Sequence, residues 1–175
     1  AHRVLDGEMY YDKTARGHKI KRWKLADRKM NKHLYLAGHV NHPTNIWLRE
    51  CASNYMLMFT YYQLICKEYT YRYGKEHGAK DYWWLLRNPP MNINKTKSQT
   101  PVPQAMQEFP QCKVEGDSVQ AYRNFYKVAK RRFATWKNRP IPTWFKTQSQ
   151  NDTMIGCYGN LDKVQNGVKQ FMVNL

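Results

Sequence analysis

The chain has 175 residues, 42% of them hydrophobic with six tryptophans, which is enough for one domain with its own core. Lys and Arg number 29 against 13 Asp and Glu, giving a net charge of +16 and a pI near 9.8, with mean hydropathy −0.84. No run of about 18 apolar residues is present, so a membrane-spanning helix is excluded, and a basic surplus of this size points to a polyanionic partner.

Ala1–Leu5 reads as the end of a helix, stopped at Gly7. Tyr10–Lys32 is rich in bases and shows no firm apolar period, so it is expected to be irregular, with a short helix near Ala26 and a solvated or phosphate-contacting surface. Leu34–Val40 is apolar but holds Gly38, and reads as a buried turn rather than a strand. The polar start AHRVLDGEMYYD lacks the order of a signal peptide. The four cysteines (Cys51, Cys66, Cys112, Cys157) form no C-x-x-C, and together these features predict a reducing, cytoplasmic setting.

The organising stretch begins at Pro43, which cannot continue a helix and biases His42 to an extended conformation, while Thr44 or Asn45 can cap a new one. From there to Tyr73 neither proline nor glycine intervenes, and Gly74 stands in the C-cap position. A single central helix over about 44–73 would be roughly 43 Å long. Trp47, Cys51, Tyr55, Met58, Tyr62, Ile65 and Tyr69 would form its apolar stripe. Asp81–Arg87 reads as a short helix stopped by Pro89 and Pro90. Met91–Pro110 is a loop too long for an ordinary connection, so it is either functional or packed along the surface. Asp117 with Gln120 has the form of a capping box, opening a second amphipathic helix over about 118–136. That helix is expected to bury Val119, Tyr122, Phe125, Tyr126, Ala129 and Phe133, with Arg123, Lys127, Lys130 and Arg131 on its other side. Residues 146–175 read as a polar extension with a weak late helical pattern (Val164, Val168, Phe171, Met172). The expected fold is therefore all-α: one helical domain over 1–145, with the two helices packed together.

Charge is unevenly spread. Residues 1–40 carry ten bases and four acids, 41–117 nine and seven, and 118–151 eight bases and no acid. Lys137 and Arg139 extend the second helix's basic face. Aromatics are interleaved with bases at Tyr69–Lys75 and Tyr122–Trp136, as stacking and phosphate pairing require, so Arg72 and Lys75 join the nucleic-acid-binding candidates. His39-x-x-His42 has metal-compatible spacing but no second Cys/His pair, so no metal and no cofactor is expected, and His42 reads as a cap beside Pro43. Glu50 and Glu68 have two readings. Each is a helix-surface ion-pair partner, as in Glu68 with Arg72 at i, i+4, or a proton-handling carboxylate in a basic cleft. With His42 they are the catalytic candidates.

Asn41-His42-Pro43 followed by Trp47, the Asn54-Tyr55 pair and Glu68–His77 resemble a group of phage and large-virus proteins of uncharacterised function. Lys113–Tyr126 and Ala134–Phe145 do so too, and the resemblance covers most of residues 1–145. More remotely, Asn-His-Pro followed by Trp and a long helix is similar to the pyrimidine-dimer DNA glycosylases. That resemblance implies an all-helical enzyme cutting a glycosidic bond through an amine-derived imine, with a supporting glutamate, on duplex DNA. It assigns the glutamate to no particular position here. Relatives in the group carry some three dozen residues ahead of the Ala-His-Arg-x-Leu-Asp-Gly segment. Either this chain begins in mid-helix without them, or Ala1 is a mature terminus whose own amine is the nucleophile. The expected function is a viral DNA-binding protein acting on damaged or modified bases; the alternative is a non-enzymatic nucleic-acid-binding or virion-associated protein.

Overall fold

The computed structural model describes residues 1–146, so the late helical pattern and the rest of the polar extension lie outside the described residues. Its elements run α1 (His2–Asp6), β1 (Glu8–Lys13), β2 (Lys19–Lys24), α2 (Arg28–His33), α3 (Pro43–Glu50), α4 (Ala52–Tyr73), α5 (Trp83–Leu86) and α6 (Ser118–Phe125), with short 3-10 and π turns between. They fall into two compact units, Ala1–Gln63 with His77–Pro103, and Leu64–Glu76 with the described residues from Gln104 to Lys146. Helix α4 supplies residues to both.

The all-α expectation is overturned in the first unit. Residues expected to be irregular pair as an antiparallel hairpin, with Glu8 opposite Lys24 and Lys13 opposite Lys19. Thr14 closes the connection by accepting from Gly17 N and donating its own N–H to His18 O, and Gly17 takes φ +81°, a conformation that favours glycine. Arg3 holds the hairpin's base. The residue is 6% exposed, and its guanidinium donates to the carbonyls of Trp23, Asn31, Leu34 and Tyr35 and to Asn31 Oδ1 at 2.7–2.9 Å. The 34–40 segment is thus tied down through its backbone, and the expectation of a buried turn fails: Tyr35 and Leu36 are 77% and 55% exposed. The short helix expected near Ala26 is α2, capped by Asp27, whose side chain accepts from Met30 N.

The single 44–73 helix is two helices. Cys51 is extended (φ −157°, ψ 162°) and separates α3 from α4. The break is stabilised by partners far along the chain. Asn54, fully buried, donates Nδ2 to Trp47 O and to Thr100 Oγ1, and its Oδ1 accepts from Thr100 N. Asn94 O accepts from Ala52 N, and Trp47 Nε1 donates to Thr100 O. The long 91–110 loop therefore begins by packing along the α3–α4 junction. Trp47, Cys51, Tyr55, Leu85 and Ile93 form the buried interior around it. Tyr55 donates its hydroxyl proton to Leu86 O, accepts from buried His2, and is pushed up in pKa by burial.

The second unit is built on Met106, Cys112 and Ala121, with Phe109, Val114, Tyr122 and Phe125 packed against them. Asp117 caps α6 as expected, accepting from Gln120 N at 2.8 Å. The second long helix is helical from Ser118 to Phe133 but not one α-helix: α-helix ends at Phe125, and a π turn (Tyr126–Lys130) and a 3-10 turn (Arg131–Phe133) follow. In the stripe expected on α4, Ile65 is exposed and its neighbour Cys66 is buried instead.

Candidate nucleic-acid interface

The last turns of α4 carry Glu68 and Arg72, which pair at i, i+4 as expected, with Arg72 Nε 2.7 Å from Glu68 Oε1. Arg139 completes the cluster, donating Nε to the same oxygen at 2.9 Å and Nη2 to Oε2 at 2.6 Å. The hydrogen bond from Arg139 holds the Glu68 carboxyl below the usual range; partial burial works against it, and Arg72 adds to it. With both oxygens engaged, Glu68 is an ionised anchor that orients two guanidiniums. A carboxylate in that role gathers cations rather than passing protons.

Lys137–Arg139 is fastened along the end of α4. Asn138, in the left-handed region at φ +57°, donates Nδ2 to Arg72 O at 2.7 Å. Arg139 lies 3.5 Å over the Tyr71 ring and Lys137 4.8 Å from the centre of Tyr73. Both are cation–π geometries; Lys137 keeps a charge available to an anion, whereas Arg139 is already satisfied by Glu68. Lys75 is exposed, one residue beyond the Gly74 cap.

The same arrangement recurs along the rest of the segment. Lys130 lies over Phe125 and Phe133, Arg131 over Phe145 and Arg132 over Phe133, at 5.2–5.5 Å. Trp136, Trp144 and Phe145 meet edge to face at 5.2–6.0 Å, and Arg131 lies over this cluster, whereas Lys130 and Arg132 share the exposed Phe133 ring. Lys127 and Arg131 are exposed. Arg123 departs from the expected solvated face. It is half-buried over Trp144 at 5.8 Å, and its Nε is buried without a hydrogen-bond partner. The π turn that follows changes the angular step between Arg123 and the later bases, so the four do not share the face on which they were counted.

The remaining candidates lie in the first unit and do not converge. His42 caps α3, its Nδ1 accepting from Thr44 N at 3.2 Å. Glu50 ends the same helix, roughly 12 Å away along the axis by the helical rise. Its Oε2 accepts from Lys97 Nζ and Thr100 Oγ1, both at 3.1 Å. The Lys97 hydrogen bond lowers its pKa most, against partial desolvation, with Thr100 assisting. Its side chain stays 34% exposed. Among the described residues no cluster of three His, Cys, Asp or Glu side chains is placed to hold a metal, and no helix is long and apolar enough to cross a membrane.

Sequence reasoning missed the hairpin and Arg3. The short polar–apolar–polar alternation Lys19-Ile20-Lys21 was the available strand signal; for Arg3, whose partners are mostly backbone carbonyls, there was none. No family model, curated protein or solved structure matches the chain.

Proposed function

We propose that this chain is a DNA-binding protein that grips the phosphates of duplex DNA through the basic segment of its second unit, as its resemblance to the pyrimidine-dimer glycosylases also implies. The observation that carries this reading is the row of cations from Lys130 to Lys137 laid over aromatic rings, in a stretch whose own sequence holds no acid from Ser118 to Gln150 and in which Glu68 engages Arg139 at the far end. Held this way, each cation has less freedom to lose on meeting a phosphate, and exposed Lys127 adds to the row. About four phosphates neutralised by this segment correspond to a log–log salt slope on the order of −3 to −4.

Reversing Lys127 and Arg131 to Glu is the test. Duplex affinity should fall at least about tenfold, or roughly 1.4 kcal/mol, and the slope should flatten by about two. Circular dichroism should not change, because both side chains are exposed. An unaltered slope with intact fold would remove this segment from the interface.

A second reading, action on damaged or modified bases, is favoured by Glu50, an ionised and partly exposed carboxylate of the kind that steadies positive charge on a sugar losing its base. Borohydride reduction on abasic or ultraviolet-irradiated duplex tests it. A trapped covalent protein–DNA adduct supports the enzyme, and its loss from the native protein under conditions of full binding leaves the binder.

A further inference from the structure

The β1–β2 hairpin contributes little to the core. Every residue of β1 is exposed, including Met9, Tyr10 and Tyr11 at 44%, 43% and 53%. A two-stranded ribbon is marginal in isolation, yet this one is fixed at its base by Arg3, Gly7 and Asn31. Directly opposed residues share a face and successive ones alternate. The register therefore puts Met9, Tyr11, Lys13, Lys19, Lys21 and Trp23 on one face and Glu8, Tyr10, Asp12, Ile20, Arg22 and Lys24 on the other. Both acids fall on the second face. The first holds three lysines and no carboxylate, and Lys19 Nζ stands 3.8 Å over the Tyr11 ring, as a diagonal pair on one face should.

We infer that this hairpin is a second DNA-contacting element, a ribbon that lays its lysine face in the major groove of duplex DNA. The inference rests on the DNA-binding reading above but on different residues. Charge selects the partner: three lysines with no carboxylate on their face attract a polyanion. Shape selects the groove. Two strands about 4.8 Å apart and six residues long, on the order of 20 Å, fit a channel about 12 Å wide that admits a two-stranded ribbon. Stacking on unpaired bases is disfavoured, because the Tyr11 ring already carries the Lys19 ammonium on one side.

The test uses the full chain and a duplex of about 20 base pairs. Lys13, Lys19 and Lys21 are changed together to Gln, with Lys32→Gln, Lys67→Gln and Lys113→Gln as a control of equal net charge. The hairpin variant should bind at least about tenfold more weakly and flatten the salt slope by two to three, and arginine at the three positions should restore both. Guanine N7, which faces the major groove, should be protected from methylation by the native protein and not by the hairpin variant.

Each failure has its own reading. A slope equal to the control's overturns the hairpin, while loss in the Lys127/Arg131 reversal would still uphold the basic segment. The opposite pattern upholds the hairpin and overturns the segment. A flattened slope with N7 reactivity unchanged overturns the groove seat. A dimer of the native chain that the variant loses, with DNA affinity kept, makes the face a self-association surface and overturns the inference. No duplex binding by the native protein overturns both readings.

Discussion

At the scale of single residues, one charge and one amide show opposite kinds of dependence on their partners. Glu68 is 36% exposed and Arg139 38%, so their ion pair, though bidentate, adds under about 1 kcal/mol to global stability. Its effect is local: it holds the turn in which Arg139 N donates to Trp136 O. Because folding lowers the Glu68 pKa below its ordinary 4.5, the contribution is complete above that value and is lost as pH falls through the folded value. The protection factor of the Arg139 amide should therefore drop in acid. Glu68→Gln should abolish that pH step and lower protection at neutral pH; an amide equally protected in both would dismiss the anchor. Asn54 is the contrary case, wholly buried with three hydrogen bonds. Asn54→Leu fills the space but strands the Trp47 carbonyl and the Thr100 N–H, each worth about 1–3 kcal/mol. Urea unfolding should register a loss of about 2–4 kcal/mol, and a loss near zero would mean that the α3–α4 break is held elsewhere.

At the scale of elements, what could be read in advance was what neighbours in sequence decide. Asp117 capping α6, Gly74 closing α4 and the Glu68–Arg72 pair are all local and lie where the residues predict; α3 is capped by His42 before Pro43 rather than by Thr44 or Asn45. The break at Cys51 was illegible because nothing near it breaks helices. It exists because Asn54 substitutes for the backbone donor that Trp47 O would otherwise have, and because Thr100 and Asn94 arrive from the loop. The same holds for Arg139, which reaches Glu68 from 71 residues away. The hairpin was missed for a different reason: β1 is exposed throughout and β2 only half-buried at Ile20, Arg22 and Trp23, so the apolar period has little burial to report. Its tether gives a direct test. A Cβ on Gly7 would collide with Arg3 O and lie 3.2 Å from both Lys24 O and Trp23 Cβ. Gly7→Ala should cost about 1–3 kcal/mol, as overpacking does, and the amides of β1 and β2 should lose protection before those of α4. Uniform loss across both would make the hairpin part of the core rather than a tethered ribbon.

At the scale of the whole molecule, the question is whether +16 acts as a bulk charge or as an arranged surface. The unfolded chain carries the same formal charge, so a polyanion attracted by charge alone binds both states and shifts their equilibrium little. Only a partner that reads geometry favours the folded state, by RT ln(1 + [L]/Kd) or about 2.7 kcal/mol at a hundred times Kd. The cations held over rings between Lys130 and Lys137, and Lys19 over Tyr11, are arranged so only in the folded chain. Duplex DNA at that excess should therefore raise Tm by roughly 5–10 °C for a chain of this size. Polyglutamate, matched in charge concentration, should raise it by much less, since a flexible carboxylate chain cannot present phosphates at the spacing of a duplex. Thermal scans at about 0.1 M salt, where exposed charges interact only over about 10 Å, separate the cases. Equal shifts for the two polyanions, or a fall in Tm with either, would mean that the basic surplus is unorganised and that neither the segment nor the ribbon is a site.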